Sequence, residues 1–380
     1  MPEKTGPLHG VRVLDLTSFI FGPYATQTLG DLGAEIVKIE SPEGDQQRYG
    51  QKNTKSGNMS SGFVSLNRNK RSVTLDLKTE EGRAKLAALV PTAHAFIHNV
   101  RADAMARLGF DYESVAKLNP SIVYVHCVGF GSDGPYAPRM AFDDLVQAAS
   151  GAADLLPHVD GNEDLRLLPS FLADKVSGLH ALYGLLAALF HRERSGEGQF
   201  VEVPMLECFT SFLMIEHLFG ETFEPPISHV GNSVALAADR KPFRTKDGHI
   251  CVQPTSQAQA AKFMELGGLP DAYKSERFVN AQGGKAKVLI YYQMMQEAAL
   301  SRTTEEWMRL GEEYRVAIMR ANTLDEVLSD PHLKAVDFFQ LRELPGEGQW
   351  RAMKPPIKFS KTPASIRLDP PKPGADTDAY

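Results

Sequence analysis

The sequence predicts an α/β protein with a mostly parallel sheet and a second, smaller unit. Three observations carry this reading. Between Val11 and Val128, short apolar runs of strand length alternate with helix-length segments, and strands joined by such crossovers lie parallel. From Phe142 onward the pattern becomes mainly helical. Glu224-Pro225-Pro226 then interrupts the chain, and a hairpin signal follows it.

Taken in order, residues 11–16 read as a buried strand, and 23–32 as a helix opened by Gly22-Pro23 and closed by Gly33. Proline suits a first helical turn and glycine a helix end. Residues 34–40 read as a second strand, and 72–77 as a third after the polar, glycine-containing loop 41–62. Helices are expected at 80–89 and 102–108, and further strands at 95–98 and 122–128. Ligands of such sheets collect at the carboxyl ends of the strands. A long apolar helix follows Asp174 and runs to about Arg192. The turn cluster Ser195-Gly196-Glu197-Gly198-Gln199 stops the helical run ahead of a strand at 200–204. Lys246-Asp247-Gly248-His249 makes a hairpin-like turn between 243–245 and 250–252. Helical segments continue to about Leu310, and the tail, with Pro355-Pro356, Pro363 and Pro370-Pro371, reads as irregular and extended. The expected division is a large unit over 1–224, a small one over 225–330 and a C-terminal segment over 331–380.

Composition narrows the function. The chain has 380 residues, and its 43% hydrophobic content suffices for a sizeable core. No apolar run has the length of a membrane span, and the opening Met-Pro-Glu-Lys-Thr-Gly-Pro lacks the plan of a signal peptide. Three scattered cysteines, Cys127, Cys208 and Cys251, suit a reducing cytoplasm. The net charge of −6 argues against a general nucleic-acid binder. Eleven histidines without ligand spacing argue against a metal site.

The candidate chemistry is sparse. Only Gly22 of a dinucleotide-type glycine pattern follows the first strand, and neither a phosphate loop nor a Gly-x-Ser-x-Gly elbow occurs. Asn67-Arg68-Asn69-Lys70-Arg71 with Lys78 is the densest basic cluster, and Asn99 and Arg107 follow the next strand. This set reads either as a site for a phosphate-rich ligand or as a solvated surface. His126 and Cys127 sit in an apolar strand and read as core. Asp143 or Asp144 reads as a helix cap. Asp174 reads either as another cap or as a nucleophile, ionised at the positive end of a helix dipole.

Several segments together resemble the class III CoA-transferases, a family that includes formyl-CoA and carnitine CoA-transferases and α-methylacyl-CoA racemases. They are Gly10-Val11-Arg12-Val13-Leu14-Asp15-Leu16, Gly22-Pro23, the run Leu29 to Glu40, Asn69-Lys70-Arg71-Ser72, Leu75 to Lys78, and Asn99. Arg107-Leu108-Gly109, Gly129-Phe130-Gly131, Asp174 with Gly178, Gly196 to Gln199 and Asp330-Pro331-His332 extend the match along the chain. The resemblance implies that Asp174 is the nucleophile of a CoA transfer between an acyl-CoA and a small carboxylic acid. It implies a mixed anhydride and then an aspartyl-CoA thioester on that residue. CoA or acyl-CoA is then a substrate, and no permanently bound cofactor is expected. The CoA site carried over by position comprises Ser18, Phe19, Ile20, Leu75, Lys78, Asn99 and Arg107, and the substrate pocket Phe142 and Asp143. The basic cluster would then supply positive charge for polyanionic CoA. The implied fold is an interlocked homodimer, each subunit having a Rossmann-like large domain completed by the C-terminal segment. The racemase branch has histidine where Phe142 stands, and phenylalanine cannot take a proton. Racemase or other α-proton chemistry is therefore the second reading, and a noncatalytic acyl-CoA binder the third. Neither a membrane nor a nucleic acid is an expected partner.

Overall fold

In the computed structural model, which describes residues 6–50, 54–57 and 59–380, six strands form one parallel sheet. They are β1 (Arg12–Leu16), β2 (Glu35–Glu40), β3 (Lys70–Thr74), β4 (Ala95–His98), β5 (Val123–Val128) and β6 (Gln199–Pro204). Their spatial order is β3-β2-β1-β4-β5-β6, and every neighbouring pair is parallel. Leu14 stands opposite Val37 on one side and Phe96 on the other. This is the doubly wound order of Rossmann-like sheets. It reverses direction between β1 and β4, where the carboxyl ends leave a crevice for ligands.

The helices from the start of the chain to His217 are α1 (Phe21–Asp31), α2 (Ser61–Leu66), α3 (Glu80–Leu89), α4 (Ala102–Leu108), α5 (Tyr112–Leu118), α6 (Asp143–Ala149), α7 (Leu155–Asp160), α8 (Leu172–Ser195) and α9 (Met205–His217). One face of the sheet packs Leu14, Val37, Phe96 and Tyr124 against Leu86 of α3 and Val115 of α5. On the other face α1 lies along α8. Ala173, Val176, Ala181, Leu185 and Ala188 form the buried stripe of α8, at the spacing a one-sided helix requires. Gly196, at φ +78°, ends α8 in a left-handed turn that costs glycine no Cβ clash.

The third strand lies earlier than expected, at 70–74 rather than 72–77. Beyond Thr74 the Asp76 side chain accepts the Lys78 N–H (3.0 Å) and its carbonyl the Thr79 N–H (3.0 Å), which turns the chain into α3. The strand starts two residues early because its charged residues are neutralised inside the fold. Lys70 is buried with its Nζ 3.1 Å from Asp15 Oδ2. Arg68 holds Asp31 through two bonds (3.0 and 2.6 Å). Arg71 reaches Asp376 at 3.0 Å. Arg68, Lys70 and Arg71 of the basic cluster are thus engaged in ion pairs within the chain, whereas Lys78 stays exposed.

The C-terminal residues protect the open edge of β3. Ser72 donates its N–H to Asp376 Oδ2 (3.0 Å) and Thr74 to Thr377 Oγ1 (3.0 Å). Asn69, in a left-handed conformation at φ +59°, accepts the N–H groups of Arg367 and Leu368 (2.6 and 2.9 Å). Its amide donates to Asp31 (2.7 Å) and to the Ser365 carbonyl (2.9 Å). Covering an edge strand removes a template for aggregation. The tail is not wholly irregular: β10 (Phe339–Leu344) and β11 (Gly348–Met353) form an antiparallel hairpin ahead of it.

The chain folds as two compact units. The first holds residues up to Asp154, Leu165–Ile215 and Asp337–Tyr380; the second holds Leu155–Asp164 and Glu216–Val336. In the second, β7 (Phe243–Arg244) and β8 (His249–Val252) form the expected hairpin, and β9 (Ile318–Arg320) joins β8. Helices α10 (Gln257–Leu266), α11 (Glu276–Val279), α12 (Gly283–Ala299) and α13 (Thr304–Tyr314) complete it. Its core is centred on Trp307, stacked 4.4 Å from Phe263 and bonded through its indole N–H to the Ala299 carbonyl (2.8 Å). Among the described residues, no helix is long and apolar enough to cross a membrane. Part of the expected loop 41–62, and residues 1–5, lie outside the described residues.

Candidate active site

The crevice at the sheet reversal is built first from backbone. β1 ends at Leu16, and the turn Thr17-Ser18-Phe19-Ile20 leads into α1. Asn99, directly after β4, holds this turn from across the reversal. Its Oδ1 accepts the Ser18 N–H (3.0 Å) and its Nδ2 donates to the Ser18 carbonyl (2.9 Å). Gly22 permits the tight entry to α1, because a Cβ there would lie 2.3 Å from the Thr17 side chain. Phe19 and Phe142 are both largely exposed and meet edge to face at 6.3 Å. Ile20 precedes α1 without a side-chain cap.

Asp174 approaches this turn from α8. It is not the cap of its helix: Phe171 is, and caps with no side-chain bond. Asp174 is the third helical residue, so its own N–H needs a partner from outside the helix. Asp143 supplies one, accepting that N–H on Oδ1 at 2.9 Å. Asp143 is therefore a cap of α8 rather than of α6, which it begins. Its other oxygen accepts from Gln147 Nε2 (2.6 Å). Gln147 also donates to the Ser170 carbonyl (3.0 Å) and accepts the Leu168 N–H (2.9 Å). The Asp174 carboxylate remains free to accept the N–H of Phe21, the first residue of α1. Gly178 allows this, since a Cβ there would stand 2.8 Å from the Phe21 carbonyl oxygen and 3.1 Å from the Tyr24 ring.

Burial and the neighbouring Asp143, with a smaller push from Asp144, raise the Asp174 carboxyl to about 7; the Phe21 N–H pulls the other way. The helix dipole was expected to keep this group well ionised. Desolvation and a like charge outweigh it, so that near neutrality the carboxyl exists in both forms.

Not all expected site residues meet here. Ser18, Phe19, Asn99 and Phe142 share the turn, and Asp143 and Asp174 adjoin it through Phe21. Leu75 is buried in the core cluster, its N–H on the Glu40 carbonyl (2.9 Å). Lys78 is exposed beyond β3. Arg107 is exposed on α4 and pairs with Asp103 at 2.8 Å. Beside Asn99 a cleft of about 810 Å³ opens over the carboxyl ends of β4 and β5, lined by Asn99, Arg101, His126, Arg139 and Phe200 among others. His126 and Cys127 are buried, as read. His126 stacks on His98 at 4.2 Å, and both rings bond the Val100 carbonyl (3.0 and 3.1 Å). Burial lowers the pKa of both. Sequence reasoning passed over Gln147. An amide four residues after Asp143, on one helical face, was the available signal.

The sequence pattern described as CoA-transferase family III matches residues 8–377. Succinate–glutarate CoA-transferase of Agrobacterium fabrum is 30% identical over 98% of this chain and 94% of its own length. Succinyl-CoA:glutarate CoA-transferase of Homo sapiens is 28% identical over 98% of this chain and 84% of its own. The crystal structure of a CAIB/BAIF family protein from Brucella suis matches with a TM-score of 0.84 at 28% identity, covering 99% of this chain and 98% of that one.

Proposed function

The chain belongs to CoA-transferase family III, and from that membership we propose that it moves CoA from an acyl-CoA to a small carboxylic acid through covalent intermediates on Asp174. The observation that carries this reading is the Asp174 carboxylate itself. It is half-buried at the sheet reversal and faces the Phe21 N–H at the start of α1, while its own N–H is served by Asp143. Ionised Asp174 attacks the thioester carbonyl, giving a mixed anhydride and CoA thiolate. The thiolate then attacks the aspartyl carbonyl, the donor acid leaves as its carboxylate, and an aspartyl-CoA thioester remains. An incoming carboxylate attacks that thioester to form a second anhydride. The returning thiolate attacks its acyl carbonyl, which yields the new acyl-CoA and frees Asp174. Covalent catalysis replaces one hard exchange by easier steps. It works only while the thiolate is held nearby at high effective concentration.

In this reading Ser18, Phe19 and Ile20 lie along the pantetheine, with Phe142 beside the acyl group. Asn99, Lys78 and Arg107 serve the nucleotide and diphosphate, and the exposure of the two cations suits that role. Exposed Tyr183, Phe190 and Phe212 on α8 and α9 would be covered in the interlocked homodimer that the family resemblance implies. No cofactor is needed beyond the CoA thioester, and a cytoplasmic location suits the three free cysteines.

The test is a trapping experiment. Incubation with succinyl-CoA and hydroxylamine should place a hydroxamate on Asp174, read by peptide mass. Succinyl-CoA and glutarate are the first pair to try, because relatives are named for them. An unlabelled Asp174 in a preparation that still transfers CoA would refute the mechanism. A second expectation concerns Gly178. Gly178→Val drives a side chain into the Phe21 carbonyl and displaces Asp174, and a misplacement of about 1 Å can cost about 100-fold in rate. The loss should appear in kcat while circular dichroism shows a folded chain.

A further inference from the structure

Residues 17–19 of the turn are each held by side chains that are buried or half-buried. Thr17 donates its N–H to Asp15 Oδ1 (2.9 Å), and its carbonyl accepts from Lys38 Nζ (2.7 Å). Ser18 is held at both polar groups by Asn99. Phe19 donates its N–H to Asp45 Oδ1 (3.3 Å). Lys38 and Asp45 are 0% and 5% exposed, and Lys38 Nζ lies 2.9 Å from Asp45 Oδ2. Burial opposes the charge on Lys38, but Asp45, Asp15 and Glu40 raise its pKa above the ordinary lysine value.

Asp45 is itself fixed. It caps the short turn Gln46–Arg48 by accepting the Gln47 N–H (2.9 Å). Its own N–H donates to Glu40 Oε2 (3.0 Å), and Glu40 holds Arg48 through two bonds of 2.8 and 2.7 Å. A carboxylate suits this place better than an amide, since an amide would remove the counter-charge paired with Lys38 Nζ and leave that ammonium only Asp15 and Glu40.

The held conformation is a costly one. Phe19 has φ +66°, a left-handed form that is sterically unfavourable for a residue with a Cβ. Such forms persist where the surroundings over-determine them. Here the result is that Phe19 meets Phe142 and α1 begins at Phe21, whose N–H reaches Asp174.

We propose that Asp45 is a positioning residue for the transfer reaction: together with Lys38 it clamps the 17–19 turn in its left-handed form and so keeps the Phe21 N–H on the Asp174 carboxylate. The proposal rests on the reading of Asp174 as nucleophile. Asp45 touches neither reacting carbon nor thiolate; it acts through the turn. The groups facing Asp174 are Asp143 and Asp144 from α6 and the Phe21 N–H from α1; Tyr24 of α1 packs against Gly178 of α8, and Lys175, next in the chain, is bonded to Ser170 (2.8 Å).

The experiment is a pH profile of kcat/KM for three proteins: the parent, Asp45→Ala, and Asp45→Leu combined with Lys38→Met. The last removes the clamp without leaving an orphaned charge in the core, and so stays informative if the single variant fails to fold. Without the clamp the Phe21 N–H leaves Asp174, the carboxyl holds its proton to higher pH, and the acid limb moves up. The rate at pH 6 should then fall about tenfold further than the rate at pH 9. Adding Phe19→Gly should return the limb toward its parent position, whatever the lost ring does to the plateau, because glycine adopts the left-handed form unaided. An acid limb coincident with the parent, alongside lower thermal stability, would overturn the proposal and leave Asp45 a structural residue. Asp174→Ala in the same assay separates the two ideas. If that variant is inert and the limb still does not move, only the role of Asp45 falls; if it retains full activity, both fall.

Discussion

Asp174→Ala is expected to lower kcat for CoA transfer by about 10⁴-fold or more, the scale seen when a covalent nucleophile is deleted. Nothing nearby can replace it. Asp143 is the adjacent carboxylate, but one oxygen accepts the backbone N–H of residue 174 and the other the Gln147 amide. Asp144 is exposed on the first turn of α6 and acts on Asp174 only as a like charge. The alanine retains its own N–H and hence the bond to Asp143, so the start of α8 should stay in place. Acyl-CoA affinity should therefore change little while turnover collapses. Chromatographic measurement of both thioesters, with a separate binding titration, checks this; a variant within tenfold of the parent rate would remove Asp174 from the mechanism.

The second large effect concerns stability and runs the other way. Burial and Asp143 lift the Asp174 carboxyl from 3.8 to about 7. Between those values the folded chain binds more protons than the unfolded one, so stability falls as pH rises through this window. Below about 4 both states are protonated at this site and the penalty is absent; above 7 it is complete. Each factor of ten in proton affinity is worth about 1.4 kcal/mol, so the full penalty is on the order of 4 kcal/mol. Asp174→Asn keeps the shape and discards the charge. Its denaturant midpoint should exceed the parent's at pH 8 and converge with it near pH 4. A difference that grows on acidification would contradict the assignment. In the proposed mechanism, a carboxylate held at a cost to the fold is an instance of stability traded for activity.

Much of the fold could be read from local pattern. The apolar runs 11–16, 34–40 and 122–128 are strands because both faces of a parallel sheet are covered. The Lys246–His249 turn is a hairpin because its residues suit one. What escaped reading depends on partners remote in sequence. Lys70 and Arg68 look like surface charges until Asp15 and Asp31 are brought against them. Asp143 looks like a cap of α6, yet it caps α8, and no local signal distinguishes the two. The hairpin of β10 and β11 did carry a signal, Pro345-Gly346 between alternating residues, which the proline-rich tail beyond it obscured. Within the site, Phe19 and Phe142 came from resemblance alone, while Asp174 and Asn99 also stood out by pattern, one as a carboxylate at a helix start and the other beside the basic cluster. The buried clamp of Lys38 and Asp45 came from neither pattern nor resemblance, because a buried lysine is invisible without its partner.

The strand edge at β3 bears on how the chain comes to be folded at all. Asn69 binds the backbone of Arg367 across 298 positions of sequence, and Ser72 binds Asp376 across 304. A chain emerging from the ribosome must therefore make nearly all of itself before its first sheet can be sealed. Until then one flank of that sheet stays open to other nascent chains. Contacts so distant also slow folding. The protein should accordingly depend on chaperones during synthesis far more than its finished stability would suggest, and chains shortened before residue 365 should accumulate as aggregates.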